Sequence, residues 1–279
     1  MESLNLKRHS FDIFKKGHKI FIEGHRGVNR EHYQNSLASF KQAIEYELDS
    51  IELDIWLTKD KIPVILHGGK EGQLYEHIKD VDKKVIVNNI TLKELLKLKL
   101  KGDEDQKVPT FKEVIDLCKN KIFINIEIKD PNINDTFNAI IKLIEEKKMI
   151  DQIAISSFHH EYYNLISKYN RDHNEKIEFG YLYFDKAEKE NFKPYKFNTN
   201  GCSMNIYQKD VSKEIVDKAH NNDMVVLVWF KMKDEESNEL YKKLFDFGID
   251  IICCNEPLKA KKFRDNIYNS NIFYKKKIF

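Results

Sequence analysis

Two carboxylates and a histidine within IELDIWLTKDKIPVILH, residues 51–67, are spaced so that a single hairpin would gather them. Glu52 and Asp54 lie two residues apart, and strand side chains alternate, so both leave the same face. The polar Thr58-Lys59-Asp60-Lys61 interrupts the apolar run before a second short stretch, Ile62 to His67, which reads as a tight reversal. If Thr58 faces Lys61, antiparallel pairing sets His67 opposite Glu52. Ionisable groups inside a hydrophobic pattern cost on the order of several kcal/mol each unless a cation or solvent compensates them. This spacing predicts a metal-assisted active site.

Two further segments repeat the theme. Ile20 to Gly27 is an apolar strand that ends abruptly in His25 and Arg26 between Gly24 and Gly27, glycines that permit a sharp exit and close backbone approach. Ile122 to Lys129 (IFINIEIK) leads β-branched residues into Glu127 and Lys129, again two apart on one face. Three strands that end in ionisable pairs are what a barrel with its site at one rim requires.

The HRG run at His25 to Gly27, the ELD at Glu52 to Asp54, the TKD hairpin, His67 and the EIK at Glu127 to Lys129 resemble the glycerophosphodiester phosphodiesterase family. Later landmarks follow in order along nearly the whole chain: Pro109 to Val114, Ser156-Ser157-Phe158, Val228-Trp229 and Gly248 to Ile252. The resemblance implies Glu52, Asp54 and Glu127 as metal ligands, His25 and His67 as the acid-base pair, and Arg26 and Lys129 against the phosphate. Trp229 resembles the family's rim tryptophan, placed to pack against glycerol. The implied activity is metal-dependent hydrolysis of a small-molecule glycerophosphodiester to glycerol 3-phosphate and an alcohol. An all-carboxylate set suits a hard divalent ion, Mg²⁺ or Ca²⁺, better than zinc. Imidazole suits both proton transfers near neutral pH. We expect His67 as base and His25 as acid, although the sequence leaves the order open. The resemblance suggests attack by a glycerol hydroxyl to give a cyclic phosphate that water later opens, with direct water attack as the variant.

The chain also departs from that family. Where Pro-Glu-Asn-Thr is usual, it has Tyr33-Gln34-Asn35-Ser36, and Gln34 can hydrogen-bond Arg26 but cannot neutralise it. Gly68 and Gly69 follow His67 where an aspartate is common, Asn255 stands where an acid is frequent, and Lys61 replaces a hairpin glycine. Two other readings therefore stand beside the first. One is a lysophospholipase D or sphingomyelinase D type enzyme, which the HGG after the second histidine favours and the EIK context opposes. The other is a catalytically silent barrel that only binds a phosphodiester, as Gln34 and Gly68 would allow. Phe158 at a strand end is as consistent with packing as with substrate contact. His32 and His77 read as solvated loop histidines, and His159 and His160 as exposed.

These side chains need a scaffold, and the chain supplies alternating strands and helices. Strands are expected near 20–24, 50–57, 62–67, 122–128, 153–156, 177–183, 202–205, 224–229 and 250–254. Helical patterns fit Ser36 to Glu47, Thr91 to Leu98, Thr110 to Cys118, Asp135 to Lys148, His160 to Tyr169, Val211 to Asn221 and Ser237 to Phe247. The architecture expected is α/β, a single (β/α)8 TIM-like barrel over 1–279 in which 62–67 is an antiparallel hairpin arm. A small excursion at 68–107, after the third strand, is expected over the site. Pro194 with Phe192, Tyr195 and Phe197 marks an irregular stretch, and the tail 266–279 is left without assigned structure.

With 279 residues, 41% hydrophobic and 33% charged, the chain can bury one large core. A net charge of +2 with mixed signs gives no electrostatic case for nucleic acid. The basic first twenty residues contain no secretory apolar run, and nothing approaches the ~20 apolar residues of a membrane span, so no stable membrane insertion is expected. Cys118, Cys202, Cys253 and Cys254 show no CxxC spacing and read as buried free thiols of a cytoplasmic protein. The sequence does not speak to oligomeric state.

Overall fold

In the computed structural model the residues described are 19–101, 106–183 and 202–276. The strands are β1 (Phe21–Gly24), β2 (Ser50–Leu57), β3 (Pro63–Ile65), β4 (Phe123–Ile128), β5 (Ile153–Ser157), β6 (Glu178–Tyr183), β7 (Cys202–Tyr207), β8 (Val225–Trp229) and β9 (Ile251–Cys254). All but β3 pair in parallel, and β1 joins both β9 and β2, which closes the sheet into a (β/α)8 barrel. Apolar residues of the opposite parity, such as Ile51, Leu53 and Ile55, pack outward under the helices. The inward residues change character along the axis. Val225, Ile251 and the stacked Phe21 and Phe123 rings fill one end, whereas Glu52, Asp54 and Glu127 stand toward the carboxyl end.

The hairpin differs from expectation by one residue. Thr58 N–H donates to Ile62 O at 3.1 Å, so the register is Leu57 to Pro63 and Ile55 to Ile65, with a three-residue loop. Lys61 takes φ 61°, the left-handed position such loops commonly give to glycine. The register is thus Thr58 with Ile62, which would set His67 opposite Leu53, and not Thr58 with Lys61, which would set it opposite Glu52. The strand ends before that residue is reached. β3 stops at Ile65, Leu66 N–H donates to Asp54 O at 3.1 Å, and His67 comes to the rim on a loop.

The helices are α1 (Leu37–Glu45), α2 (Leu92–Leu95), α3 (Phe111–Cys118), α4 (Ile133–Lys147), α5 (Tyr162–His173), α6 (Lys213–His220), α7 (Asn238–Phe247) and α8 (Pro257–Lys276). Ser36 caps α1, and Thr110 with Glu113 forms the capping box of α3. The helix expected over 91–98 is only one turn, because the following chain folds inward. Leu100 bridges to Ile78 and joins Leu95, Leu74, Val87 and Trp56 in a separate small core. The expected tail is mostly helical, since α8 runs to Lys276. Two contacts pin it to the barrel: Arg264 with Ile20 O and Asp49, and the Tyr268 hydroxyl accepting from Ile20 N–H at 3.3 Å. The irregular stretch around Pro194 lies outside the described residues. All four cysteines are buried and free. Among the described residues no helix is long and apolar enough to cross a membrane.

Candidate active site

The carboxyl ends of the strands surround a cavity of about 860 Å³ lined by His25, Arg26, Glu52, His67, Glu127, Lys129 and Trp229. Asp54, fully buried, lies behind that lining. Every residue proposed from the sequence for the site therefore stands at one place. Asp54 and Glu127 are register partners on adjacent parallel strands, with Glu52 two residues before Asp54. One oxygen from each of these three carboxylates lies within 4.8 Å of the others.

Their immediate surroundings are cationic. Arg26 Nε stands 3.0 Å from Asp54 Oδ2, and Lys129 Nζ is 3.3 Å from Asp54 Oδ1 and 2.5 Å from Glu127 Oε1. Burial favours the neutral acid, yet Arg26 and Lys129 outweigh it at Asp54 and hold its carboxyl well below the usual range. Glu52 goes the other way. Burial, then the Asp54 and Glu127 charges, push its pKa well up, while Arg26 offsets this only in part. Glu127 is also raised by burial, with Lys129 opposing. At Lys129 burial disfavours the charge, but Glu127 and Asp54 prevail and raise it.

Three carboxylates face two cations, so full ionisation of the cluster would leave one excess negative charge. Glu52 Oε2 accepts the Arg26 backbone N–H at 2.9 Å, whereas Glu52 Oε1 is buried with no hydrogen-bond partner. An orphaned carboxylate oxygen among hard oxygen donors, in a cluster short of positive charge, fits a divalent cation of the Mg²⁺ or Ca²⁺ kind. The residues present thus suit the metal that the resemblance implies.

Both histidines reach this cluster by backbone turns. β1 ends at Gly24, where a Cβ would come within 2.6 Å of Gly27 O, so the turn that presents His25 and Arg26 requires glycine. Arg26 itself adopts φ 56°, held by its N–H to Glu52 and its C=O to Asn35 N–H and Ser39 Oγ. His25 Nδ1 lies 3.0 Å from Asn255 Oδ1, and the Asn255 amide donates to Lys231 O at 2.9 Å. The oxygen therefore faces the ring, Nδ1 carries the proton, and Nε2 is left toward Glu52 Oε2 at 4.0 Å. Burial, with help from Arg26, lowers His25 to about 3. His67 falls to about 2, chiefly through burial against an opposing pull from Asp54.

Several contributors escaped the sequence reading. Asn35, given no role in the site from the sequence, clamps Asp54 twice: its amide donates to Oδ2 at 2.8 Å and its oxygen accepts Asp54 N–H at 3.3 Å. The signal was present, since Asn35 is the position of the YQNS tetrad that matches Pro-Glu-Asn-Thr. Gln34 accepts from Arg26 Nη1 at 2.5 Å, so the amide retains the hydrogen bond without the charge. His77 is a correction. Expected as a solvated loop residue, it is buried beside His67, with ring centroids 5.9 Å apart. The excursion's own small core folds 68–77 back under the rim and puts it there. His159 and His160 are half-buried, His160 Nε2 lying 3.0 Å from Leu182 O.

The sequence matches the family model described as the glycerophosphoryl diester phosphodiesterase family over residues 25–259. It is 27% identical over 265 residues to a glycerophosphodiester phosphodiesterase of Bacillus altitudinis, covering 89% of this chain and 99% of that protein. A second relative of the same name, from Caldanaerobacter subterraneus subsp. tengcongensis, is 28% identical over 252 residues, covering 86% and 95%. Among solved structures, a glycerophosphodiester phosphodiesterase from Thermotoga maritima superposes with a TM-score of 0.68 at 25% identity, covering 88% of this chain and 98% of that one. An Oleispira antarctica phosphodiesterase superposes with a TM-score of 0.73 at 21% identity over 88% and 97%, and shares the fold. With closed barrel, rim site and sequence in agreement, the chain belongs to the glycerophosphoryl diester phosphodiesterase family of enzymes.

Proposed function

We propose that this protein hydrolyses glycerophosphodiesters to glycerol 3-phosphate and an alcohol, with Mg²⁺ or Ca²⁺ held by Glu52, Asp54 and Glu127. The observation that carries this reading is the convergence of those three acids, both histidines, Arg26 and Lys129 on one cavity. The Oleispira relative of the same fold is described in complex with sn-glycerol-3-phosphate, the product this reading requires.

Glu52, Asp54 and Glu127 would hold the divalent ion, which would supply positive charge to neutralise the phosphoryl group. Arg26 and Lys129 add fixed positive charge beside the same group. His67, neutral and at the rim, removes a proton from the attacking hydroxyl. The negative charge of a bound phosphodiester favours the imidazolium form of His25, which then delivers its Nε2 proton to the leaving alkoxide, Nδ1–H being committed to Asn255. In opening a cyclic phosphate the two rings exchange roles. Trp229 and the edge-on Phe158 ring, 6.3 Å apart, offer an apolar wall for the glycerol carbons. Gly69, Lys70, Glu76 and His77 of the 68–107 excursion line one side of the cavity. Buried free cysteines suit the expected cytoplasmic setting.

One observation favours a second reading. Phe158 is 41% exposed beside Trp229, an apolar mouth that a lysolipid chain would cover. Glycerophosphocholine and lysophosphatidylcholine, each assayed with Mg²⁺, with Ca²⁺ and with chelator, separate the readings. Metal-dependent release of glycerol 3-phosphate from the first supports the proposal. Turnover of lysolipid alone supports the second reading, and no turnover of either overturns both.

A further inference from the structure

A second group of potential ligands lies outside the carboxylate trio. His67, Glu76 and His77 each place a donor atom within 4.8 Å of the other two. His67 Nδ1 is 4.0 Å from Glu76 Oε2. We propose that these three residues form a distinct site for a borderline transition-metal ion, Zn²⁺ in particular, at the edge of the catalytic cavity. Two imidazoles and one carboxylate are a donor set that hard Mg²⁺ or Ca²⁺ does not favour and that zinc does.

His77 supplies the independent observation. The residue is only 7% exposed, and its Nε2 is buried with no hydrogen-bond partner. Its other nitrogen is occupied: Nδ1 lies 3.1 Å from the Tyr33 hydroxyl, which also lies 3.2 Å from His77 O. A phenol has one proton and a carbonyl can only accept, so the hydroxyl donates to the carbonyl and Nδ1–H donates to the hydroxyl. Nε2 is left as a bare lone pair in a buried place, and a polar partner that fixes the remote nitrogen is the arrangement that orients metal-binding histidines. Leaving such an atom unpaired is costly unless something fills the site.

The backbone accommodates the third ligand. Gly69 takes φ +55°, and a Cβ there would sit 2.6 Å from Glu76 Oε1, so any side chain at 69 would displace the carboxylate. Glu76 is exposed and lines the cavity, which gives an ion from solvent a way in and a ligand able to swing onto it. An ion held here would engage a ring nitrogen of His67 and block its exchange of protons. That consequence rests on the role proposed above for His67, whereas the binding does not.

The test is a titration of the full chain, saturated with Mg²⁺ and free of substrate, with Zn²⁺ by calorimetry and with Co²⁺ by visible absorption. One equivalent of tight binding and the visible bands of a four-coordinate nitrogen-containing cobalt site are expected. Glu76→Gln and His77→Ala should each weaken Zn²⁺ binding at least 10-fold, and Tyr33→Phe by ~10-fold to 100-fold, as loss of an outer partner does. Glu52→Gln should leave it intact. Melting curves without zinc verify that each variant folds, and Glu76→Gln, at an exposed position, serves if His77→Ala does not. Absence of a second binding event, an all-oxygen octahedral cobalt spectrum, or equal affinity in wild type and folded Glu76→Gln would each overturn the site. Because the readout is binding, a catalytically inactive protein would still report on it.

Discussion

Asp54 and Glu127 are in register on neighbouring parallel strands, and the Lys129 ammonium spans them, 3.3 Å from one and 2.5 Å from the other. The same pair is thus a buried ion cluster in itself and two-thirds of a cation site. Those two roles make different demands on each acid, and substitutions separate them.

Asp54→Asn should be the structurally costly change. It leaves Arg26 and Lys129 without their shared anion in the interior, and breaking a buried pair of this kind costs about 3–5 kcal/mol. Glu52→Gln should cost far less in chelator, because Glu52 would carry the charge that full ionisation leaves in excess. Urea denaturation of both variants with chelator checks the ordering. With Mg²⁺ at 100 times its Kd, wild type should gain about 2.7 kcal/mol and Glu52→Gln essentially nothing.

His67→Ala should lower kcat by ~10²- to 10⁴-fold, the usual contribution of a positioned proton carrier. Mg²⁺ affinity, followed by the same denaturation assay, should be unchanged. Near-wild-type turnover would remove His67 from the mechanism.

Acid should destabilise the protein in chelator. His25, His67 and His77 sit in the fold with pKa values lowered to about 3, 2 and 4, against 6.5 when unfolded, mainly through burial. Between pH 6.5 and about 4 the unfolded chain therefore binds more protons. Each ring's contribution is complete above pH 6.5 and is lost as the pH falls. Glu52, raised well above 4.5, has the opposite sign: its native form binds the extra proton, so its contribution falls as pH rises. Urea midpoints should drop from pH 6.5 to 4, less steeply in His77→Gln and more steeply in Glu52→Gln.

Lys61→Gly should stabilise the hairpin. Lys61 holds φ 61°, a conformation that costs a side chain roughly 1–2 kcal/mol, partly offset by glycine's larger loss of freedom on folding. Its exposed ion pair with Asp135, at 2.8 Å, contributes little. A Tm rise of a few degrees with unchanged kcat is expected, and a fall in Tm would show that the ion pair outweighs the backbone strain.

Gly68→Ala should weaken the cover over the site. Gly68 takes φ +68°, and a Cβ would meet Trp56 Nε1 at 2.9 Å, the same indole that donates to His67 O at 3.0 Å. Loss of that contact displaces His67, so kcat should fall with KM little changed. Steady-state kinetics beside a Glu52→Gln control will show whether the loss is specific to proton transfer.

Much of this molecule is written locally. Alternation along Ile51 to Leu57 and Ile122 to Ile128 commits one parity of residues to the helices and the other to the barrel interior, which puts Glu52, Asp54 and Glu127 inward before any contact is known. Glycines at 24 and 27 likewise announce the turn that presents His25 and Arg26. Other features depend on contacts between distant residues and leave no periodic trace. Lys61 adopting a left-handed turn moved the hairpin register by one residue. The grip of Asn35 on Asp54 and of Asn255 on His25 links positions 19 and 230 residues apart. α8 extends because Arg264 and Tyr268 find Ile20 and Asp49 across the closed barrel. The pairing of His77 with His67 exists because a small core around Trp56 folds the excursion back. Side-chain parity follows from backbone geometry and is legible in sequence, whereas which loop returns to the rim is decided only when buried surfaces meet.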